Sequence, residues 1–432
     1  MNNFIFKNLN LVFIDEDFNI KINNNEIWVK DGVYCDNKHK REDFEIIDCG
    51  GRVGFVDMCN FHHHIYSQLS KGMPVNGDMS NFYNVLKNLW WKLDKVLFKE
   101  AVQCSAQIAG IESIKSGVTT TFDHHASFEH ICGSLEDIGD VLIGLGIDNV
   151  LCFETSDRNG NDIFYKSVQE NVDYIKKVKD NVRRKAMFGL HAPFTLNDNS
   201  LKYIMENIPS NTGLHFHLAE DKLDISESID KFNKDIVDRI LDYNLVNDKT
   251  IIGHCNHINK KQFEKLALKN PAIAHNPASN MNNAVGVLNF NSIKDMNISF
   301  LPGTDGMHSN ILSSIKTAFL LYRHINSSSN SGFDLVEKMI KDSAYFGRKF
   351  FNNMYNLKVN TPAKLTITDY IPYTEFDVDN FLGHFIYGIT ESRICTVYNR
   401  KMLMKDYNLC NIDEQGIIKY TREISKKLWK KL

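Results

Sequence analysis

The chain carries 432 residues, 43% of them hydrophobic and 24% charged, with a formal net charge of −3. That length exceeds one ordinary small domain and suits an α/β barrel with an appendage, while the near-neutral charge removes the global basic field that nucleic-acid binding needs. Nine cysteines, odd in number and never spaced C-x-x-C, argue against a disulfide framework and for a reducing, cytoplasmic setting.

Residues 1–50 read as short strands and turns, because IFKNLNLVFI, FNIKI, NEIWVKDGVY and FEIID are apolar or alternating runs broken by Asp, Asn and Gly. The N-terminus lacks a basic region followed by an apolar core, and no apolar run approaches the ~20 residues that span a bilayer, so neither a leader nor a membrane partner is expected. From about residue 54 the pattern becomes strand, loop, helix, repeatedly. Eight apolar segments stand out, at 53–56, 118–122, 150–153, 186–190, 213–218, 250–253, 272–274 and 298–301. Between them Ala101, Cys104, Ile108, Ile111 and Ile114 follow helical steps up to Gly117, and Phe164, Val168, Val172, Ile175 and Val178 do the same. Strands alternating with helices pair in parallel, and eight such units predict a closed (β/α)8 TIM barrel over 54–357. From about 360 the strand-like text returns in KLTITDY, FIYGIT and RICTVYNRKML, so residues 1–53 and 358–432 are expected to form one small, sandwich-like β domain. The closing KKLWKKL reads as a solvated helix end.

In such a barrel the chemistry sits where the strands end, and fourteen of the sixteen histidines lie between residues 62 and 324. After the first strand comes FHHHIYS; in extended backbone His62 and His64 face the same way and His63 the other. The fifth strand carries His215 and His217, followed by Glu220; the sixth runs into His254 and His257; the eighth ends in Asp305. Two imidazoles from the first strand, one from the fifth and a carboxylate from the eighth would ring the barrel mouth. That N/O set suits a divalent metal, Zn²⁺ ahead of Fe²⁺, with a position left for water. One H-x-H alone is weak; the ordered set is what carries the reading. His124 and His125 follow the second strand and read equally as pocket wall or as structure. His275, with Asn276 and Asn280, lies at the seventh strand's exit and reads either as a substrate contact or as a loop cap. Trp90 and Trp91 read as packing over the barrel mouth.

These motifs resemble the amidohydrolase superfamily over nearly the whole chain, in the branch of guanine deaminase, cytosine-deaminase-like proteins and triazine chlorohydrolases. GRVGFVD…HHHIYS, SGVTTTFDHH, HFHLAED, GHCNHI, AHNPASNMNNAVG and PGTDGMHSN carry the likeness; GLHAPFTLND, FDHHAS, NMNNAVG and GHFIYGI are most similar to the SsnA aminohydrolase group. The resemblance implies that His62, His64, His217 and Asp305 hold one metal ion, that Glu220 relays protons, that His254 polarises the attacked centre or holds the water, and that Asp305 also acts as a base. It assigns His191 a substrate contact. Relatives with two metals use a modified lysine on the fourth strand; here that strand offers His191 and no lysine, so one metal is expected. Val53 replaces the usual proline, and NTPAKLTITDY departs from the usual pattern entering the C-terminal strands. The implied activity is hydrolysis of non-peptide C–N bonds, deaminating a purine, pyrimidine or amidine-like small molecule. The alternatives are ring-opening or dechlorinating hydrolysis at the same site, or a metal-binding relative without catalysis. Assembly into a homo-oligomer is expected by resemblance only.

Overall fold

Two parallel arcs of strands build the barrel in the computed structural model, which describes residues 3–432. The first arc joins Cys59–His63, Thr120–His125, Asp148–Phe153 and Arg184–Ala186; the second joins Phe188–Gly189, Leu214–Leu218, Ile251–His254, Ala272–His275 and Ser299–Pro302. Chain continuity through Met187 links the arcs at the fourth strand, and a parallel bridge between His63 and Asp305 links the eighth strand's exit back to the first. The result is a (β/α)8 barrel. The predicted helices are present as Lys99–Lys115 and Asn161–Val178. Gly117 follows the first of them at φ +78°, where a Cβ would lie 2.4 Å from Thr366 Cγ2, so both its backbone and its surroundings require glycine.

Alternate residues on each strand face the barrel axis. Phe122, Val150, Cys152, Ile251, Ala274 and Leu301 pack together inside, while Ile252, Ile273 and Phe300 pack outward among the helices. Phe346 and Phe350, from the end of the last barrel helix and the turn after it, pack against Phe122, tilted at 6.4 Å and edge-on at 5.2 Å between ring centres. In the first strand the register shifts between Asn60 and His63, a bulge that re-aims side chains: Phe61 joins the interior and His62 and His64 still face it.

Both chain ends contribute to one nine-stranded sheet. Phe4–Ile14 pairs in parallel with Glu45–Phe55, and Lys364–Thr368 pairs antiparallel with that strand through Thr366 opposite Phe55 and Ile367 opposite Gly54. The apolar segment at 53–56, expected as the first barrel strand, belongs here instead. Its first three residues end the long strand of the flanking sheet, the chain turns at Asp57 in left-handed backbone (φ 62°), and the barrel starts at Cys59. The helix Glu414–Trp429 returns over the barrel, and Trp429 Nε1 donates to Leu69 O at 2.8 Å, pinning the turn Ile65–Ser70 that follows His64. The lysines of its basic end are exposed. Among the described residues no helix is long and apolar enough to cross a membrane.

Candidate metal centre

The strand ends bring together residues far apart in the chain. His64 Nε2 lies 3.1 Å from His217 Nε2 and 3.0 Å from Asp305 Oδ1, and His62 Nε2 lies 3.7 Å from that same oxygen. His254 Nε2 is 3.5 Å from Glu220 Oε2 and 3.9 Å from Asp305 Oδ2. Ligand-type atoms of His62, His64 and His217 lie within 4.8 Å of one another, as do those of His62, His254 and Asp305. Close approach of the eighth strand makes this possible. A Cβ on Gly303 would sit 2.9 Å from His62 Cβ and 2.2 Å from Asn276 Oδ1, and the backbone N–H groups of Thr304 and Asp305 both donate to His62 O. His254 and Asp305 hold φ of 68° and 55°. Left-handed backbone is uncommon outside glycine and concentrates at functional positions.

The hydrogen bonds fix the protons. His64 Nδ1 faces His124 O at 2.7 Å, and His217 Nδ1 faces His191 O at 2.7 Å. A carbonyl only accepts, so each Nδ1 carries a hydrogen and each neutral ring presents its Nε2 lone pair. Two such lone pairs at 3.1 Å, beside a carboxylate oxygen at 3.0 Å, repel unless a cation or a proton lies among them. His62 Nδ1 is held by His215 Nε2 at 2.7 Å, and its Nε2 is buried with no hydrogen-bond partner among the described residues. An orphaned buried nitrogen and facing lone pairs are what a set of ligands looks like without its ion. Neutral imidazoles and a carboxylate fit a divalent metal, and the carbonyls and His215 supply the outer contacts that orient such ligands.

Electrostatics put the positive charge that this cluster calls for on His64 when no ion is there. Burial pulls the His62 imidazole down to about 3, and burial with the neighbouring His124, His62 and His64 rings holds His217 well below its usual value. His64 is opposed by burial, yet the hydrogen bond and charge of Asp305 lift it to about 9. Asp305 is opposed by burial too, but its imidazole partners keep it well below the usual carboxylate range. Ser279 Oγ also donates to Asp305 Oδ2 at 2.5 Å. Glu220 goes the other way: burial, reinforced by Asp305 and partly offset by His254, raises it to about 7.

His62, His64, His217, His254, Glu220 and Asp305 therefore meet at one place, and His191 stands in the wall of the cleft above them with Trp90, Trp91 and Tyr66. His63 faces away, 3.9 Å from Asp123, and His257 is tied to Val285 O at 2.6 Å. His125 and His275, expected as substrate contacts, are not in that wall. His124 shares the inward parity of Phe122, which turns His125 outward, where its Nε2 meets Ser127 Oγ at 2.8 Å. His275 shares the outward parity of Ile273 and stacks on Phe300 at 5.3 Å, beside a separate cavity. Several partners went unread in the sequence. Asn280 accepts from His254 Nδ1 at 2.8 Å while donating to Asn256 Oδ1 at 2.9 Å. Asp94 and Glu154 also line the cleft. Glu154 had a signal, since it continues the inward parity of Val150 and Cys152; Asp94 had none.

Residues 53–382 match the amidohydrolase family model. The chain is 24% identical over 400 residues to 5'-deoxyadenosine deaminase of Methanococcus maripaludis, spanning 89% of this chain and 90% of that protein. It is 25% identical over 368 residues to 5-methylthioadenosine/S-adenosylhomocysteine deaminase of Thermococcus sibiricus, spanning 83% of this chain and 84% of that one. Among solved structures, an adenosine deaminase from Xanthomonas campestris with bound zinc superimposes with a TM-score of 0.82 at 16% identity, over 99% of this chain and 98% of that one. With the family match running through the barrel and every strand end just described, the chain belongs to the amidohydrolase family and is a divalent-metal hydrolase acting on C–N bonds of small molecules.

Proposed function

We propose that the chain is an aminohydrolase that removes the exocyclic amine from an adenosine-type nucleoside or a related amidine-like ring. The observation that carries this is the position of Glu220, whose carboxylate lies 3.5 Å from His254 in the lining of the cleft beside the ligand cluster, where its surroundings raise it to about 7. His62, His64, His217 and Asp305 would hold one divalent ion, for which Zn²⁺ is the better fit; bound there, it would lower the pKa of water toward ~7 and polarise the attacked centre.

The rest of the reaction falls to the chain's own side chains. Asp305 Oδ2, steadied by the Ser279 hydroxyl, takes a proton from the attacking water. Glu220 carries a proton to the departing nitrogen, a task suited to a group poised near the working pH. His254 Nε2, its ring fixed by Asn280, faces the charge that develops at the attacked carbon. His191 and the tryptophans of the cleft wall bracket the planar base. A C–O bond forms, the C–N bond breaks, and ammonia leaves. Two relatives bear names of adenosine-derivative deaminases, which supports this choice over ring opening or dechlorination.

The test is ammonia release from a nucleoside, nucleobase and amidine panel, with metal content measured on the same preparation. Ammonia and a hypoxanthine product in equal amounts from an adenosine derivative is the expected result. A fully metal-loaded protein that releases none from any member would overturn the proposal.

A further inference from the structure

Glu220 leaves the fifth strand through a turn that its own side chain does not hold. The strand ends at Leu218, Ala219 takes left-handed backbone (φ 47°), and the helix Lys222–Phe232 follows. An alanine does not favour that conformation by itself, because its Cβ crowds a carbonyl oxygen there. Among the described residues the Glu220 carboxylate receives only a long contact from Asn283 Nδ2, at 3.4 Å to Oε1. Its backbone is held far better. The Ala219 N–H donates to Asp224 Oδ2 at 2.6 Å, the His257 N–H donates to Ala219 O at 3.2 Å, and Asn256 Nδ2 donates to Glu220 O at 3.0 Å. A carboxyl that passes a proton between partners cannot be locked at its own oxygens, so its aim has to come from the main chain that carries it.

Asp224 stands apart in this set. It is 4% exposed and lies in the first turn of the helix, where an acid ordinarily reaches back to the N–H of the capping residue. Here the capping residue, Asp221, serves the helix with its own side chain through the Leu223 N–H at 2.9 Å, and Asp224 reaches past it to Ala219. Burial, reinforced by Glu220, raises the Asp224 carboxyl to about 7 against the pull of the Ala219 N–H and of Arg239. An acid placed to complement the helix dipole would be lowered instead. What the position gains is a strong acceptor on the N–H that fixes the left-handed turn. Asp224 Oδ1 has no hydrogen-bond partner among the described residues, and the residue borders the cleft, so direct contact with substrate is the rival role.

We propose that Asp224 is a positioning residue for Glu220: by accepting from the Ala219 N–H it holds the left-handed turn that sets the Glu220 carboxylate beside His254. This deepens the aminohydrolase reading and rests on it for what Glu220 does, but not for where Glu220 is held.

The experiment reads position and rate separately. Asp224→Ala removes the acceptor, Asp224→Leu repeats the removal without leaving a cavity, and Asp224→Asn keeps a carbonyl oxygen in the same place. A crystal structure of Asp224→Ala or Asp224→Leu should show Ala219 leaving its φ of 47° and Glu220 Oε2 moving away from His254 Nε2, now 3.5 Å distant. Either removal should lower kcat about 10–10²-fold, as a misplacement of about 1 Å does, with KM within about twofold and metal content unchanged. Asp224→Asn should stay within about threefold of wild type, since the acceptor remains. In a Glu220→Gln background the removal should cost less than about twofold, because the group it positions is already gone. An unmoved Glu220, a kcat loss of equal size in both backgrounds, a rise in KM in place of a fall in kcat, or an Asp224→Asn as impaired as Asp224→Ala would overturn the proposal. The crystal structures decide it even for a protein that deaminates nothing. Wild-type kcat in Glu220→Gln, with Glu220 displaced in the Asp224→Ala crystal, would instead overturn the proton-carrier reading alone.

Discussion

At the N-terminal end of the barrel, Lys364 of the flanking sheet reaches in and donates to Asp57 Oδ2 at 3.0 Å and Thr120 Oγ1 at 2.8 Å, with Asp148 Oδ2 3.1 Å away. Arg400 and Arg183 complete the pairing of Asp148 at 2.8 and 2.7 Å. At the mouth, the same barrel leaves His62 Nε2 and His254 Nε2 buried with no hydrogen-bond partner among the described residues and sets the His64 and His217 nitrogens face to face. Charged groups are fully paired at one end, whereas at the other the polar atoms converge with some of them left unsatisfied. The closed end holds the flanking sheet to the barrel. The open end stores unmet coordination, and that is what a ligand can use.

The largest effect should come from the open end. Glu220→Gln removes the proton carrier but none of the ligand atoms, so kcat is expected to fall by about 10²–10⁴-fold with metal content unchanged. Asp305→Asn should lower metal content and rate together, since Asp305 approaches His62, His64 and His254 at once. Metal analysis beside steady-state rates separates the two. A Glu220→Gln protein with wild-type kcat would remove Glu220 from the proton path.

The closed end should fail differently. Lys364→Met leaves Asp57 without its cation in a buried site while Asp148 keeps Arg183 and Arg400, and breaking such a pair costs about 3–5 kcal/mol. The expected outcome is a lower thermal midpoint with kcat per folded, metal-loaded molecule unchanged. A drop in kcat without loss of stability would mean that the two ends are not independent.

How far the sequence reaches follows the same division. The convergence of these side chains was legible because strand parity and strand order are local facts that survive folding: His62 and His64 two apart, His217 on the fifth strand, Asp305 after the eighth. The same parity, applied one residue further, would have turned His125 and His275 outward, since each alternates with inward neighbours. The start of the barrel was not legible, because Val53, Phe55 and Val56 are as apolar as the true first strand and the break between them is a backbone turn at Asp57. The pairing of Arg158 with Asp94 and Glu154 was invisible for another reason. Its members come from a helix and a loop whose relative placement is set by tertiary packing against Trp91 and Phe128.

The smallest effect is a shape in the acid limb of the stability curve. Burial alone would raise Asp148, but Lys364, Arg400 and Arg183 overrule it and hold the carboxyl at about 2, against a usual 3.8. Above pH 3.8 the group is ionised in both folded and unfolded chains, and its full contribution of about 2 kcal/mol is present. Between 3.8 and about 2 the unfolded chain takes up the proton first, so stability falls with pH, and below that window the contribution is gone. Denaturant unfolding followed from pH 5 to pH 2 should show this slope in the wild type and lose part of it in Asp148→Asn, an isosteric change that cannot titrate. An identical slope in the two proteins would assign acid sensitivity elsewhere, to carboxylates such as Asp305 at the open end, where the metal rather than a lysine would then be the group that protects the fold.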